Sequence, residues 1–171
     1  MVLDTETTDF NGDIIQLAWL IYNLDTNQII KKSNIYVKDR ISTIKSQSIH
    51  NISLEKLRDE GVEFYQLMKE FIGDFELIDT IVGHNISFDI RIIINNLRKF
   101  NINIIDFNTQ KQISNIFDNY KIECTKKISG GKSLENLYLD LFSAKFLGAH
   151  NAMVDVESTL DCYLQLIKQS K

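Results

Sequence analysis

Proline is absent from the 171 residues, cysteine occurs twice and glycine only seven times. The missing proline, beside plentiful isoleucine and asparagine, fits an AT-rich coding bias and carries no chemical meaning. Two cysteines, Cys124 and Cys162, cannot build a disulfide framework, and neither has a second cysteine or a histidine at zinc-ligand spacing. A reduced, cytoplasmic setting is the expectation. No apolar run approaches the roughly 20 residues that cross a bilayer, and Met1-Val2-Leu3-Asp4 lacks the basic and apolar regions of a secretory signal. No membrane partner is expected. A basic excess is missing too, because the formal net charge is −4. Proteins that coat nucleic acid by neutralising phosphates are usually basic, so composition gives no support to passive coating. It leaves room for an enzyme whose carboxylates are neutralised by bound cations.

What is present is ordinary globular material. Hydrophobic residues make up 44% and charged residues 25%, which argues against extensive disorder. There is no internal repeat, low-complexity tract or Gly/Ser linker, so residues 1–171 are read as a single domain. Three β-like segments come first: Met1 to Thr5, Ile14 to Asn23, and Ile29 to Val37 after a turn at Asp25-Thr26-Asn27. The short spacing predicts antiparallel pairing of the second and third. The period then changes. Ser53 is a candidate N-cap for a helix ending near Gly61, and Phe64, Leu67, Met68, Phe71, Ile72 and Phe75 mark an amphipathic helix. Thr80 to Gly83 reads as a short buried strand, and Ser87 as the cap of a helix from Phe88 to Lys99. Tyr120 to Cys124 suggests a fifth strand, while residues 101–119 carry the least pattern. Leu134, Leu137, Tyr138 and Leu141 form one helical stripe. Leu160, Tyr163, Leu164 and Ile167 form another, on a terminal helix beginning near Asn151. Strands followed by alternating helices and strands predict a three-layer α/β fold with a mixed sheet.

Four carboxylates stand out by position. Asp4 and Glu6 are two apart on the first strand, so both side chains take one face, at the carboxyl end where open α/β sheets place ligands. Asp89 follows the Thr80–Gly83 strand through a turn that opens on the same edge. An acid in a first helical turn also serves simply to complement the helix dipole. Asp155 lies in the terminal helix after His150, with Val154 and Val156 as neighbours. Four converging carboxylates would repel one another and take up protons unless cations were bound. Two divalent ions carry the matching charge, and oxygen-only ligands suit Mg²⁺, with Mn²⁺ able to substitute. Two such ions can clamp the attacking and leaving oxygens of a displacement at phosphorus. A histidine at His150, whose side-chain type titrates near neutral pH, would take a proton from the attacking water.

The same residues carry a resemblance. Val2-Leu3-Asp4-Thr5-Glu6-Thr7-Thr8, then His84-Asn85 with Phe88-Asp89, then His150 followed five residues later by Asp155, together resemble the DEDDh exonucleases. That RNase H-like group includes DNA polymerase III proofreading subunits and RNA 3′-end trimmers. Ile49-His50-Asn51-Ile52-Ser53 resembles a further family element, and the motifs occur in family order over nearly the whole chain. The resemblance implies an RNase H-like fold with a mixed five-stranded sheet and helices on both faces. It implies that Asp4, Glu6, Asp89 and Asp155 bind two metal ions and that His150 is the general base. It places backbone groups around Thr7 and the side chain of His50 against the 3′-terminal nucleotide, and gives His84-Asn85 a bracing role. Two departures are Asp9-Phe10 in place of the common Gly-Leu, and Asn51 in place of glycine.

The activity so implied is 3′→5′ exonuclease action on single-stranded DNA or RNA 3′ ends, releasing nucleoside 5′-monophosphates in proofreading or repair. Phe10 is the candidate for stacking on the terminal base. Lys126, Lys127 and Lys132, around Gly130-Gly131, read equally as a phosphate-binding loop and as a solvated basic loop. A non-catalytic nucleic-acid-binding module of the same fold and an RNase H-type endonuclease are the alternatives. A polymerase is a candidate partner, and oligomeric state is left open.

Overall fold

The protein is described by a computed structural model covering residues 1–38, 41–102 and 116–169. The chain opens with β1 (Val2–Thr7), β2 (Ile14–Asn23) and β3 (Gln28–Tyr36), joined as antiparallel neighbours. Three helices follow, α1 (Gln47–His50), α2 (Leu54–Glu60) and α3 (Phe64–Gly73), then a 3₁₀ turn at Asp74–Leu77. Next come β4 (Thr80–Gly83), α4 (Ile86–Lys99), β5 (Lys121–Cys124), α5 (Thr125–Ile128), α6 (Leu134–Phe142) and α7 (Ala152–Gln169). The five strands form one mixed sheet in the order β3-β2-β1-β4-β5, with β4 parallel to β1 and to β5.

β2 does not alternate apolar and polar residues, and its first eight residues are buried. Both faces of the sheet are covered, so a central strand reads as a continuous apolar run. On one face α3 and α4 bring Phe64, Leu67, Phe71, Ile92, Ile93 and Leu97 against Leu3, Leu17, Trp19 and Ile81. On the other, α7 brings Ala152, Val156, Leu160 and Tyr163 against Val2, Ala18, Leu20 and Val82. The three layers expected from the order of elements are therefore present.

The phase of β1 follows. Asp4 and Glu6 are in step with Val2 and emerge on the α7 face, while Thr5 is in step with Leu3 and faces α4. Several local features match their sequence signals. The Ser53 hydroxyl accepts from the Lys56 N–H at 3.1 Å and caps α2, which stops at Gly61. The β2–β3 turn includes Asn27 at φ 54°.

Ser87 is not the cap of α4; it lies inside the helix, which starts at Ile86. The chain must turn sharply out of β4, and Asn85 does so in the left-handed region at φ 72°, which asparagine tolerates. Gly83 makes the close approach possible: a Cβ there would sit 2.7 Å from Ile86 Cδ1. α3 also ends sooner than its stripe suggests. At the 3₁₀ turn, buried Asp74 accepts from Trp19 Nε1 at 2.7 Å and from Lys31 Nζ at 3.0 Å. Of the poorly patterned stretch 101–119, residues 103–115 lie outside the described residues. Among the described residues, no helix is long and apolar enough to cross a membrane.

The β1–β2 loop is held by Asn96, a buried polar residue of α4. Its Oδ1 accepts from Ile14 N–H at 3.2 Å, and its Nδ2 donates to the carbonyls of Ile92 at 3.0 Å and Gly12 at 3.3 Å. Asn96→Ala leaves a buried backbone donor without a partner, so urea denaturation should show a loss of about 1–3 kcal/mol. A variant as stable as the parent would contradict this account of the loop.

Candidate metal centre

β1 and the amino-terminal turn of α7 build one side of the site. The strand's period of two presents Asp4 and Glu6 together. Because α7 starts at Ala152, Asp155 falls in its first turn. One carboxylate oxygen from each of Asp4, Glu6 and Asp155 lies within 4.8 Å of the other two. His150 is at φ 65°, which turns the chain into α7, and its backbone N–H donates to Asp155 Oδ2 at 3.1 Å. That bond fixes one oxygen of Asp155. The other, Oδ1, is buried and has no hydrogen-bond partner among the described residues.

Asp89 arrives from the opposite face, on α4. Its Oδ1 accepts from the Thr5 N–H at 3.0 Å and from the Thr5 hydroxyl at 2.7 Å. Thr5 thus ties the α4 acid to the strand that carries the other two. Asp89 stands outside the group of three close oxygens, yet its charge is the largest of the neighbouring charges acting on Asp4. The structure therefore brings all four acids to one end of the sheet, three in close contact and the fourth pinned beside them. Thr5 was not singled out in sequence. The only signal was a buried hydroxyl residue between two acids, on the other face of the strand.

Burial raises the affinity of all four for protons. The Asp4 carboxyl is pushed well above the usual range by burial and then by Asp89, Asp155 and Glu6. Glu6 rises to about 8 through burial, with Asp155 and Asp89 adding to it. Asp89 rises to about 7 through burial, against the opposing hydrogen bonds from Thr5. Asp155 rises to about 6, again chiefly by burial, with His150 pulling the other way. The donor set is all oxygen, crowded, and includes a buried oxygen with no donor. These properties fit a hard divalent cation and do not fit zinc's preference for nitrogen and sulfur.

Around the acids, the His150 ring is exposed. His50 is buried; its Nδ1 accepts from the Ile52 N–H at 3.1 Å, so in the neutral ring the proton sits on Nε2. Nε2 is buried, and the nearest acceptor to it among the described residues is the Thr7 carbonyl. Burial lowers the His50 pKa, the Thr7 carbonyl opposes this, and His150 lowers it further, which sets His50 beside Thr7 and His150. The Thr7 hydroxyl donates to the Asp9 carbonyl at 2.7 Å, where β1 breaks register with β2. His84 Nδ1 lies 2.9 Å from the Thr125 hydroxyl and so joins the carboxyl ends of β4 and β5. Of the lysines around Gly130-Gly131, Lys132 is ion-paired with Asp140 at 2.6 Å.

These observations define a mixed α/β sheet covered on both faces, with an acidic cluster at the carboxyl end of β1. A family profile described as exonuclease, RNase T, matches residues 1–163, and the chain belongs to that family. No curated protein sequence matches it. Among solved structures, exonuclease X in complex with 5′-overhanging duplex DNA superposes with a TM-score of 0.68 at 20% identity, over 99% of this chain and 91% of that one. The nuclease domain of 3′hExo, a DEDDh family member bound to rAMP, gives 0.73 at 15% identity, over 98% and 90%. E. coli exonuclease I with a dA16 oligonucleotide gives 0.68 at 15%, over 98% of this chain but 40% of that one. The shared architecture is the RNase H-like fold of these exonucleases.

The acids' raised proton affinities set the pH dependence of the metal-free protein. Between the ordinary carboxylate range near 4 and the value of about 8 at Glu6, the folded state holds more protons than the unfolded chain. Stability contributed by these groups is complete at low pH and lost as pH rises through that window. In chelator, the melting temperature should fall between pH 5 and 8.5, less steeply in Asp4→Asn. Millimolar Mn²⁺ should raise it most at the alkaline end, because the ions bind only the folded arrangement. Melting curves indifferent to Mn²⁺ at every pH would rule out the metal centre.

Proposed function

We propose that the protein is a two-metal-ion 3′→5′ exonuclease of the DEDDh type, acting on single-stranded DNA or RNA ends and releasing nucleoside 5′-monophosphates. The observation that carries this reading is the crowding of Asp4, Glu6 and Asp155 within 4.8 Å, beside a buried Asp155 oxygen that has no donor among the described residues. Asp4, Glu6, Asp89 and Asp155 would hold the ions, Mg²⁺ with Mn²⁺ as a substitute. When bound, two divalent ions offset the four carboxylate charges and polarise the scissile phosphodiester.

The chain's own residues do the rest. His150 is exposed, free to meet solvent, and tied through its backbone to Asp155. Its imidazole accepts a proton from the attacking water as the water oxygen bonds to phosphorus. The bond from phosphorus to the 3′ oxygen of the preceding nucleotide breaks, and that oxygen takes a proton from solvent. Asp155 then stabilises the imidazolium by its charge. His50, buried beside the Thr7 carbonyl with its Nε2–H on that side, is suited to donate to an oxygen of the 3′-terminal nucleotide. Phe10, 73% exposed in the β1–β2 loop, is suited to stack on the terminal base.

His150→Ala should lower turnover by about 10²–10⁴-fold, the usual contribution of a positioned base, while Mn²⁺ still raises the melting temperature. An unchanged rate would remove His150 from the reaction. A linear oligonucleotide labelled at its 3′ end should release labelled mononucleotide only with Mg²⁺ or Mn²⁺, and a circular one should survive. Cleavage of the circle would favour the RNase H-type endonuclease reading.

A further inference from the structure

We propose that Arg91, lying over the touching pair Phe10 and Phe88, binds a phosphodiester of the strand upstream of the scissile bond; this rests on the exonuclease reading above. Arg91 lies two residues beyond Asp89 in α4, and Phe10 follows Glu6 by four residues in the β1–β2 loop. The cluster thus hangs from both chain segments that carry the acids. The guanidinium carbon stands 5.2 Å from the Phe10 ring centroid and 5.1 Å from that of Phe88, and the two ring centroids are 5.6 Å apart. One guanidinium nitrogen, Nη1, donates to Asn11 Oδ1.

The neighbouring cations are already engaged. Lys45 pairs with Asp9 at 3.4 Å, and Lys99 pairs with Asp13. Arg91 has no carboxylate within ion-pair distance among the described residues. It lies within cation–π distance of both rings, and one of its five N–H donors, on Nη1, meets an acceptor among the described residues. An arginine edge fits the paired oxygens of a phosphodiester, and a guanidinium fixed by two rings and one hydrogen bond has already lost much of its rotamer freedom. The acids take the phosphate of the last nucleotide, and beyond it the strand continues only in the 5′ direction. A phosphate met at this rim therefore belongs to an upstream linkage.

The test combines turnover with equilibrium binding, read by fluorescence anisotropy in Ca²⁺, on short linear oligonucleotides across a range of KCl. A second series carries a single neutral methylphosphonate at successive upstream linkages. Neutralising one phosphate contributes about 0.7 to the slope of log affinity against log salt for single strands, so Arg91→Ala should be shallower than the parent by about that much. KM should rise roughly five- to tenfold, as expected for a hydrogen-bonded charge contact, with kcat changed far less. One methylphosphonate position should weaken the parent by a similar factor and weaken Arg91→Ala no further. Arg91→Lys, which keeps the charge without the planar donor edge, should keep the slope. An Arg91→Ala protein with the parent's salt slope and methylphosphonate profile would overturn the proposal. Parent protein that cleaves nothing, yet binds with an Arg91-dependent slope, would reject the exonuclease reading and retain the phosphate contact.

Discussion

Four carboxylates from three distant parts of the chain share one end of a sheet, and their mutual repulsion is the constraint around which the rest is arranged. Burial makes it worse, since each charge loses water as it gains like-charged neighbours. The proton affinities of Asp4, Glu6, Asp89 and Asp155 all rise in consequence. A loose scaffold would relieve the strain by letting the acids drift apart. Here they sit on elements that cannot drift. β1 is flanked by β2 and β4 in mid-sheet, and α7 is packed on it through Val156 and Leu160. The Thr5 bonds to Asp89 lock α4 to the same strand. The apolar layers on the two faces of the sheet supply the free energy that holds the charges together.

Topology decides where the acids meet. β4 runs parallel to β1, so the turn after β4 opens on the same edge as the carboxyl end of β1. That turn is tight because Gly83 lets Ile86 come close and Asn85 takes the left-handed conformation. Antiparallel β2 returns the chain through the loop of Thr8 to Asp13, which Asn96 ties to α4. The rim of the site is thus fastened at several points to the layer beneath it. Phe10 projects from a braced loop, and Arg91 lies against its ring.

Much of this was legible in sequence, because the relevant signals are local. The period of two placed Asp4 and Glu6 on one face, and Ile14 to Asn23 has the bounds expected from its β-branched and aromatic content. Ser53 caps its helix as its residue type suggests. Ser87 had the same credentials but lies within α4, because the geometry of leaving β4 outweighed a good capping residue. The bond between Thr5 and Asp89 spans 84 positions and has no local signature. The same holds for the Arg91 guanidinium, which has no carboxylate partner among the described residues while Lys45 and Lys99 have theirs. Local patterning found which residues carry charge; tertiary contacts decide how each is held.

The central claim is that these acids gather a pair of cations. Titrating the metal-free protein with Mn²⁺ and recording electron paramagnetic resonance tests it most directly, since ions about 3.5–4 Å apart couple magnetically. The account predicts uptake of two Mn²⁺ per chain with a spin-coupled spectrum, lost in Asp4→Asn. Isolated Mn²⁺ signals that grow linearly with added metal, unaffected by that substitution, would contradict it.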